Sequence, residues 1–316
     1  MTDNNDTGEG GHRSGFVALT GQPNVGKSTL LNKLLGEKLA IVSRRPQTTR
    51  TRILGIHNGP GVQIAFLDTP GIHEPTTPLN RAMVALARGA IEEVDASLLV
   101  TDVKMAVRST RYGGATVHEG DREVIAALKK AGRPAALLLN KIDTVSRDRV
   151  LPVIDAYSEA HEWAFIYPLS ARTGEGVERL PELIAPLLPV SPPLFPPDVL
   201  TDQAERILAS EYIREQVFRF THAEVPYGVA VEVRQFDETE RGEGEGGLVR
   251  INADIIVEKE SQKGIVIGRR GAMLRRVGTA ARTNLERLLG TKVWLGLHVR
   301  VEKDWTRGPS GLRRFE

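Results

Sequence analysis

The chain has 316 residues, 41% of them hydrophobic and 26% charged, a length and apolar content suited to two modest cores. It contains no cysteine, which excludes disulfides and thiolate metal sites, and its seven histidines are scattered without metal-ligand spacing. The formal net charge is only +2, residues 1–14 lack the apolar core of a signal peptide, and no run approaches the ~18 apolar residues of a membrane span, so the composition points to the cytoplasm.

After a polar, Gly-rich tail at 1–14, the pattern predicts a short buried strand at 16–20 and an amphipathic helix at 28–36. Between them stands Gly21-Gln22-Pro23-Asn24-Val25-Gly26-Lys27-Ser28, which matches G-x-x-x-x-G-K-[ST] in the strand–loop–helix setting that this phosphate-binding loop requires. In such a loop backbone N–H groups and the helix N-terminus surround the phosphates and Lys27 reaches the β/γ-phosphates. The Ser28 hydroxyl takes a place on Mg²⁺, with Thr29 beside it in the nucleotide-contacting run. The loop implies a bound nucleoside triphosphate.

Residues 43–50 form a Thr-bearing loop and the expected first switch, in which Thr49, with Thr48 as the neighbouring candidate, closes over Mg²⁺ and the γ-phosphate. Strands are predicted at 53–58 and 62–67, and Asp68-Thr69-Pro70-Gly71 follows the second of them. At a strand's carboxyl end Asp68 can hold Mg²⁺ through water, and the Gly71 N–H can meet the γ-phosphate. Lys27, Thr49 and Gly71 are therefore the expected catalytic set, and Ser28, Thr49 and Asp68 the expected metal set. Position 72, where many such enzymes carry the glutamine that orients the attacking water, is Ile72. An apolar side chain there predicts slow intrinsic hydrolysis unless another group, a water network or a monovalent cation substitutes. Asn24 is placed to help hold K⁺.

A helix at 80–90, a strand at 95–101, a helix at 121–131 and a strand at 135–139 follow, with an irregular segment at 104–120 to which the pattern assigns no role. Asn140-Lys141-Ile142-Asp143 ends the 135–139 strand, and the Asp143 carboxylate can accept from both N1–H and the exocyclic amino group of guanine, a donor pair that adenine lacks. A helix at 147–161 and a strand at 165–169 lead to Ser170-Ala171-Arg172, where a backbone N–H can reach guanine O6. GTP is thus favoured over ATP. A last helix at 176–187 completes a mostly parallel, doubly wound sheet of the P-loop NTPase type over residues 15–188.

Residues 189–202 are Pro-rich and read as a semi-rigid linker. Beyond it a helix at 203–221, strands at 228–236 and 248–258, helices at 264–269 and 272–289 and a strand at 292–301 give an α-β-β-α-α-β order over 203–303, before a tail at 304–316. The acidic, Gly-rich stretch 237–247 reads as a flexible hairpin tip. Gly268-Arg269-Arg270-Gly271 is a G-x-x-G turn with two arginines, and across 261–300 nine basic residues stand against one acidic, net +8. Such a patch reads as a phosphate-binding surface.

The segments GQPNVGKSTLLNKLLG, RRPQTTRTRILGI, DTPGIH, NKID and SARTGEGVERL resemble the Era-type branch of the translation-factor-related GTPases, and the second half resembles the KH module. The resemblance spans about 15–305. It implies a P-loop GTPase domain followed by a smaller α+β type II KH domain that binds single-stranded RNA through Lys263, Ile267, Gly268, Arg269, Arg270, Gly271 and Arg275. It further implies Mg²⁺ with GTP or GDP, the 3′ region of 16S ribosomal RNA as partner, a role in assembly of the small (30S) ribosomal subunit, and peripheral contact with the inner face of the cell membrane. No coiled-coil repeat indicates an obligate oligomer.

Overall fold

The computed structural model describes residues 11–42, 49–75, 77–107, 115–222, 225–242 and 246–306. Its chain divides into two compact units, with the main boundary between Asp202 and Gln203.

In the first unit the strands are β1 (Arg13–Thr20), β2 (Ile53–Gly59), β3 (Val62–Asp68), β4 (Ala96–Asp102), β5 (Ala135–Asn140) and β6 (Ile166–Pro168), arranged in the order β2-β3-β1-β4-β5-β6. All neighbours run parallel except β2 and β3, which form an antiparallel pair at one edge. Both β3 and β5 are buried along their whole length, as near-continuous apolar strands inside a parallel sheet must be. One face carries Val17, Leu19, Ile64, Phe66, Leu98 and Val100 under α1 (Lys27–Leu35) and α6 (Leu180–Ile184). The other carries Leu99, Leu137 and Leu139 under α2 (Pro78–Glu93), α3 (Val103–Val107), α4 (Glu119–Ala131) and α5 (Val150–Ser158). The doubly wound sheet is therefore present, with the phosphate loop at the carboxyl end of β1.

Besides shifted ends, among them the helix expected at 264–269 that runs over Glu260–Ile267 and the one expected at 80–90 that runs over Pro78–Glu93, three elements differ from the pattern-based expectation. The expected helix 176–187 is reduced to α6 followed by a 3-10 turn at Ala185–Leu187, because Pro181 and Pro186 remove backbone donors. The expected 147–161 helix begins with a 3-10 turn at Arg147–Arg149 and becomes α-helical only as α5. Residues 237–240 of the acidic stretch are strand rather than turn, since β7 runs to Glu240 and Arg241 just beyond it pairs with Glu205 at 2.6 Å and also with Glu238.

Residues 189–202 lie along the first unit. Val190 bridges to Arg13, and Ser191 N–H donates to the His12 carbonyl at 2.9 Å. The outer edge of β2 is covered, with Ile56 N–H donating to Leu200 O at 2.8 Å and Thr201 Oγ1 to Leu54 O at 2.6 Å. A covered edge cannot template pairing with another chain. Prolines supply no N–H here, so the body provides the partners. Gln63 is buried, its Oε1 accepts from Leu194 N–H at 2.7 Å and Phe195 N–H at 2.9 Å, and its Nε2 donates to Phe195 O at 2.8 Å and Asn58 Oδ1 at 2.7 Å.

The second unit contains α7 (Glu205–Phe220), β7 (Ala230–Glu240), β8 (Leu248–Val257), α8 (Glu260–Ile267), α9 (Ala272–Leu289) and β9 (Lys292–Val301). Its sheet order is β7-β8-β9, with β7–β8 antiparallel and β8–β9 parallel, so the α-β-β-α-α-β order is realised. Packing continues past 303, because Trp305 is buried against Ala230 and Ile256 and donates to the Gly228 carbonyl at 3.0 Å. Among the described residues no helix is long and apolar enough to cross a membrane.

Because Gln63 satisfies four partners in a buried setting, Gln63→Ala should lower unfolding stability by about 2 kcal/mol, mostly through the strap groups left unpaired. Denaturant unfolding followed by circular dichroism measures this, and a change within experimental error contradicts the assigned role of the carboxamide.

Candidate functional site

The phosphate loop takes its shape from three residues at positive φ, Gly21 at 137°, Asn24 at 62° and Gly26 at 106°. At Gly26 a Cβ would lie 2.3 Å from Asn140 Nδ2, so glycine is required by both conformation and contact. Lys27, at the start of α1, is buried and folds back so that Nζ donates to Gly21 O at 3.0 Å and Gln22 O at 2.8 Å. Burial brings its ammonium down to about 8, an effect opposed by the charges of Asp68 and Asp121. A desolvated cation of this kind gains more from an anion than a surface lysine would.

The three residues of the expected metal set converge although they are distant in sequence. Ser28 Oγ lies 2.6 Å from Asp68 Oδ2 and 2.9 Å from Thr49 Oγ1, and Thr49 Oγ1 lies 3.4 Å from the same carboxylate oxygen. Asp68 is fully buried at the end of β3. Burial pushes its carboxyl up to about 6, against the charge of Lys27 and the two hydroxyls. Its Oδ1 has no hydrogen-bond partner among the described residues. Hydroxyl and carboxylate oxygens with one buried lone-pair face unused suit a hard divalent cation. Thr48, the alternative to Thr49, lies outside the described residues.

Thr69 Oγ1 is tied to Leu19 O at 2.9 Å, holding the Asp68–Gly71 turn against β1. Gly71 packs so closely on the phosphate loop that a Cβ would come within 2.5 Å of the Pro23 nitrogen. Ile72 N–H donates to Gly21 O at 3.1 Å, and its side chain is fully buried in the core with Val84, Ala87 and Leu99. The residue that replaces the expected glutamine is a core residue and does not face the loop.

Asn140, one of the residues expected at the base, is buried and bonds three backbone groups. Its Nδ2 donates to Val25 O at 2.7 Å, and its Oδ1 accepts from Lys141 N–H at 2.8 Å and Ala171 N–H at 2.9 Å. It thereby joins the phosphate loop to both loops expected to meet the base. Lys141 adopts φ 65° and spans to Asn24 O at 2.7 Å and Asp102 Oδ2 at 2.8 Å. Asp143 is held by Ser170 Oγ on one oxygen and by Arg172 Nη2 on the other, each at 2.5 Å. Burial opposes its ionisation, but those two donors outweigh it and keep the carboxyl below its ordinary range. It is an anion at neutral pH, and each oxygen keeps a further lone pair for a ligand.

In the second unit Gly268 stands at φ 71°, where a Cβ would meet Met273 Cβ at 2.6 Å, and Arg270 at φ 52° completes a tight turn into α9. Arg269 and Arg270 are exposed on this turn. Gly271 and Arg275 open onto a groove of about 1110 Å³ between α9 and β9, whereas Lys263, Ile267, Gly268, Arg269 and Arg270 do not line it. The net +8 of the segment overstates the free positive charge by Arg300, which pairs with Glu232, outside the counted segment, at 3.2 Å. The Arg282–Glu286 approach at 3.8 Å is already within that count, and Arg276 keeps its charge while stacking 4.2 Å from the Phe220 ring centre. The groove also includes Trp294, 48% exposed on β9. Its alternation with buried Val293 along β9 is the signal in the sequence for an outward-facing ring.

Residues 16–141 match the family model of the 50S ribosome-binding GTPase, and residues 224–306 match that of the KH domain. The chain is 52% identical over 303 residues to GTPase Era of Geobacter metallireducens, covering 96% of this chain and 97% of that protein. It is 48% identical over 303 residues to GTPase Era of Syntrophus aciditrophicus, covering 96% and 94%. Two crystal structures superpose with TM-score 0.88 at 39% identity over 96% of this chain and 98% of theirs. One is a point variant of Aquifex aeolicus Era bound to GDP and AlF₄⁻, the other Era in complex with MgGDPNP and nucleotides 1506–1542 of 16S ribosomal RNA. With both halves matched in order and the phosphate loop built as described, the chain belongs to the Era family of GTPases.

Proposed function

We propose that this chain is a GTP-hydrolysing switch that binds single-stranded RNA from the 3′ region of 16S ribosomal RNA during assembly of the 30S subunit. The observation that carries the reading is the joining, through Asn140, of a phosphate loop to an ionised Asp143, in a chain whose second unit presents a G-x-x-G turn beside a groove. The relative crystallised with MgGDPNP and a 16S fragment supports carrying both ligands across.

In this reading the loop 21–28, with Thr29, holds the phosphates, and Lys27 exchanges its two carbonyl partners for phosphate oxygens. Asp143 accepts from the guanine N1–H and amino group, while the Ala171 N–H, already bonded to Asn140, fixes the loop whose backbone faces O6. Ser28, Thr49 and Asp68 hold Mg²⁺, which when bound offsets charge on the β- and γ-phosphates. Gly71 brings its N–H to the γ-phosphate because nothing larger fits against Pro23. With Ile72 buried in the core, no side chain at that position orients water, so intrinsic turnover is slow. K⁺ beside the exposed Asn24 is the substitute to test. In the second unit Arg269 and Arg270 meet RNA phosphates, Lys263 and Arg275 flank them, and Ile267 with the groove receives bases. Trp294 offers a further stacking face.

Two outcomes check this reading. Asp143→Asn should weaken GDP binding by at least about a hundredfold and favour xanthine nucleotides, since the amide N–H meets their C2 carbonyl. Competition binding with GDP and XDP measures it, and an unchanged guanine preference contradicts the assignment. Arg269→Ala combined with Arg270→Ala should weaken RNA binding for every sequence alike. It should also reduce the slope of log affinity against log salt by about 1.4, at ~0.7 per phosphate of a single strand. A slope equal to that of the parent places the RNA phosphates elsewhere.

A further inference from the structure

The segment 104–120, to which the sequence pattern assigns no role, ends in contact with the phosphate loop. Gln22, the residue after the first glycine of that loop, donates from Nε2 to Asp121 Oδ1 at 2.9 Å and approaches His118 Nδ1 at 2.6 Å. Asp121 is fully buried, and its other oxygen accepts from Thr101 Oγ1 at 2.5 Å and Tyr157 OH at 2.6 Å.

The hydrogen-bond roles follow from donor and acceptor chemistry. The Asp121 carboxylate accepts only, so the Gln22 atom facing it is the NH₂ group, and its second hydrogen points to His118 Nδ1. That nitrogen also receives the Gly120 N–H at 3.2 Å and is therefore the unprotonated ring nitrogen. Gly120 makes the approach possible, because a Cβ there would stand 2.6 Å from Gln22 Cδ and Oε1. At its other end Gln22 accepts from Lys27 Nζ through its carbonyl, at 2.8 Å. A continuous set of contacts thus runs from Tyr157 and Asp121 through Gln22 to the lysine of the phosphate loop.

We propose that His118 and Asp121 are positioning residues for the phosphate loop, acting through Gln22, and that this brace slows release of guanine nucleotide. The proposal rests on the nucleotide-binding reading given above. Neither side chain is expected to touch the nucleotide. The brace holds the backbone of the phosphate loop at Gln22, and this hold persists after Lys27 has left the Gln22 carbonyl for phosphate oxygens.

The test is the release rate of a fluorescent GDP from the full-length protein and from Gln22→Ala, His118→Ala, their double variant, His118→Asn and Gly120→Ala. His118→Ala removes one partly buried hydrogen bond of Gln22 and should release GDP about three- to tenfold faster, and Gln22→Ala, which removes two, at least as fast. The double variant should be no faster than the faster single one, because both remove the same link. His118→Asn places an oxygen near the position of Nδ1 and should return to within about twofold of the parent. Gly120→Ala keeps every hydrogen-bonding group but pushes the Gln22 amide away, and should behave like Gln22→Ala. Parent-like rates in the alanine variants, effects that multiply in the double variant, or His118→Asn as fast as His118→Ala would each overturn the proposal. A parent protein that binds no GDP would overturn the nucleotide reading itself, whereas a GDP-binding parent with indifferent variants removes only the brace.

Discussion

A single buried carboxamide sets the geometry on which the nucleotide site depends. Asn140 ends β5 and gives its three hydrogen bonds to three different loops, through Val25, Lys141 and Ala171. Each loop is irregular, and each would otherwise sample many conformations at a cost of ~1–2 kcal/mol per residue ordered. Tied to one side chain on a central strand, they are held together in the folded chain, which is the arrangement the proposed nucleotide site needs. The left-handed Lys141 and the absence of a Cβ at Gly26 are consequences of how closely these loops meet.

The same economy governs the catalytic end. Ser28, Thr49 and Asp68 come from a helix, a loop and a strand, yet their oxygens lie within 3.4 Å of one another. A buried carboxyl raised to about 6 and a buried ammonium lowered to about 8 are both penalised by desolvation. In the proposed function a divalent cation beside Asp68 and a polyphosphate beside Lys27 would offset both penalties together.

Much of this was legible in the sequence because the chemistry dictates residue type at fixed spacing. Gly21–Ser28, Asp68–Gly71 and Asn140–Asp143 lie at the ends of largely buried strands and Ser170–Arg172 follows the half-buried β6, and period-two or continuous apolar runs locate those strands well. What escaped was set by tertiary contact. Asn140 stands in a linear motif, but its ties to the loops at Val25 and Ala171 appear only in the fold. Ile72 reads as a missing catalytic side chain, and the reason it is tolerated is its place in a core that includes α2 residues. The proline-rich 189–202 segment reads as a spacer because prolines forbid regular structure, whereas Gln63, far away in β3, supplies the hydrogen bonds that hold it. The net charge of 261–300 could be counted, but the acidic partners of Arg300 lie on β7 and β8 and on the last residues of the unit. His118 and Asp121 carry no motif at all, and only the fold brings them to Gln22.

A switch of the proposed kind requires nucleotide and RNA to bind linked states of one protein. Linkage requires RNA to change GTP affinity by the same factor by which GTP changes RNA affinity. The most direct measurement is the affinity of the full-length protein for a single-stranded fragment from the 3′ end of 16S ribosomal RNA, beside a scrambled control. It is made with a non-hydrolysable GTP analogue, with GDP and without nucleotide. The account predicts sequence-dependent binding whose strength differs between the GTP-analogue and GDP states, whereas equal affinity in all three states, or equal affinity for the scrambled strand, would contradict it.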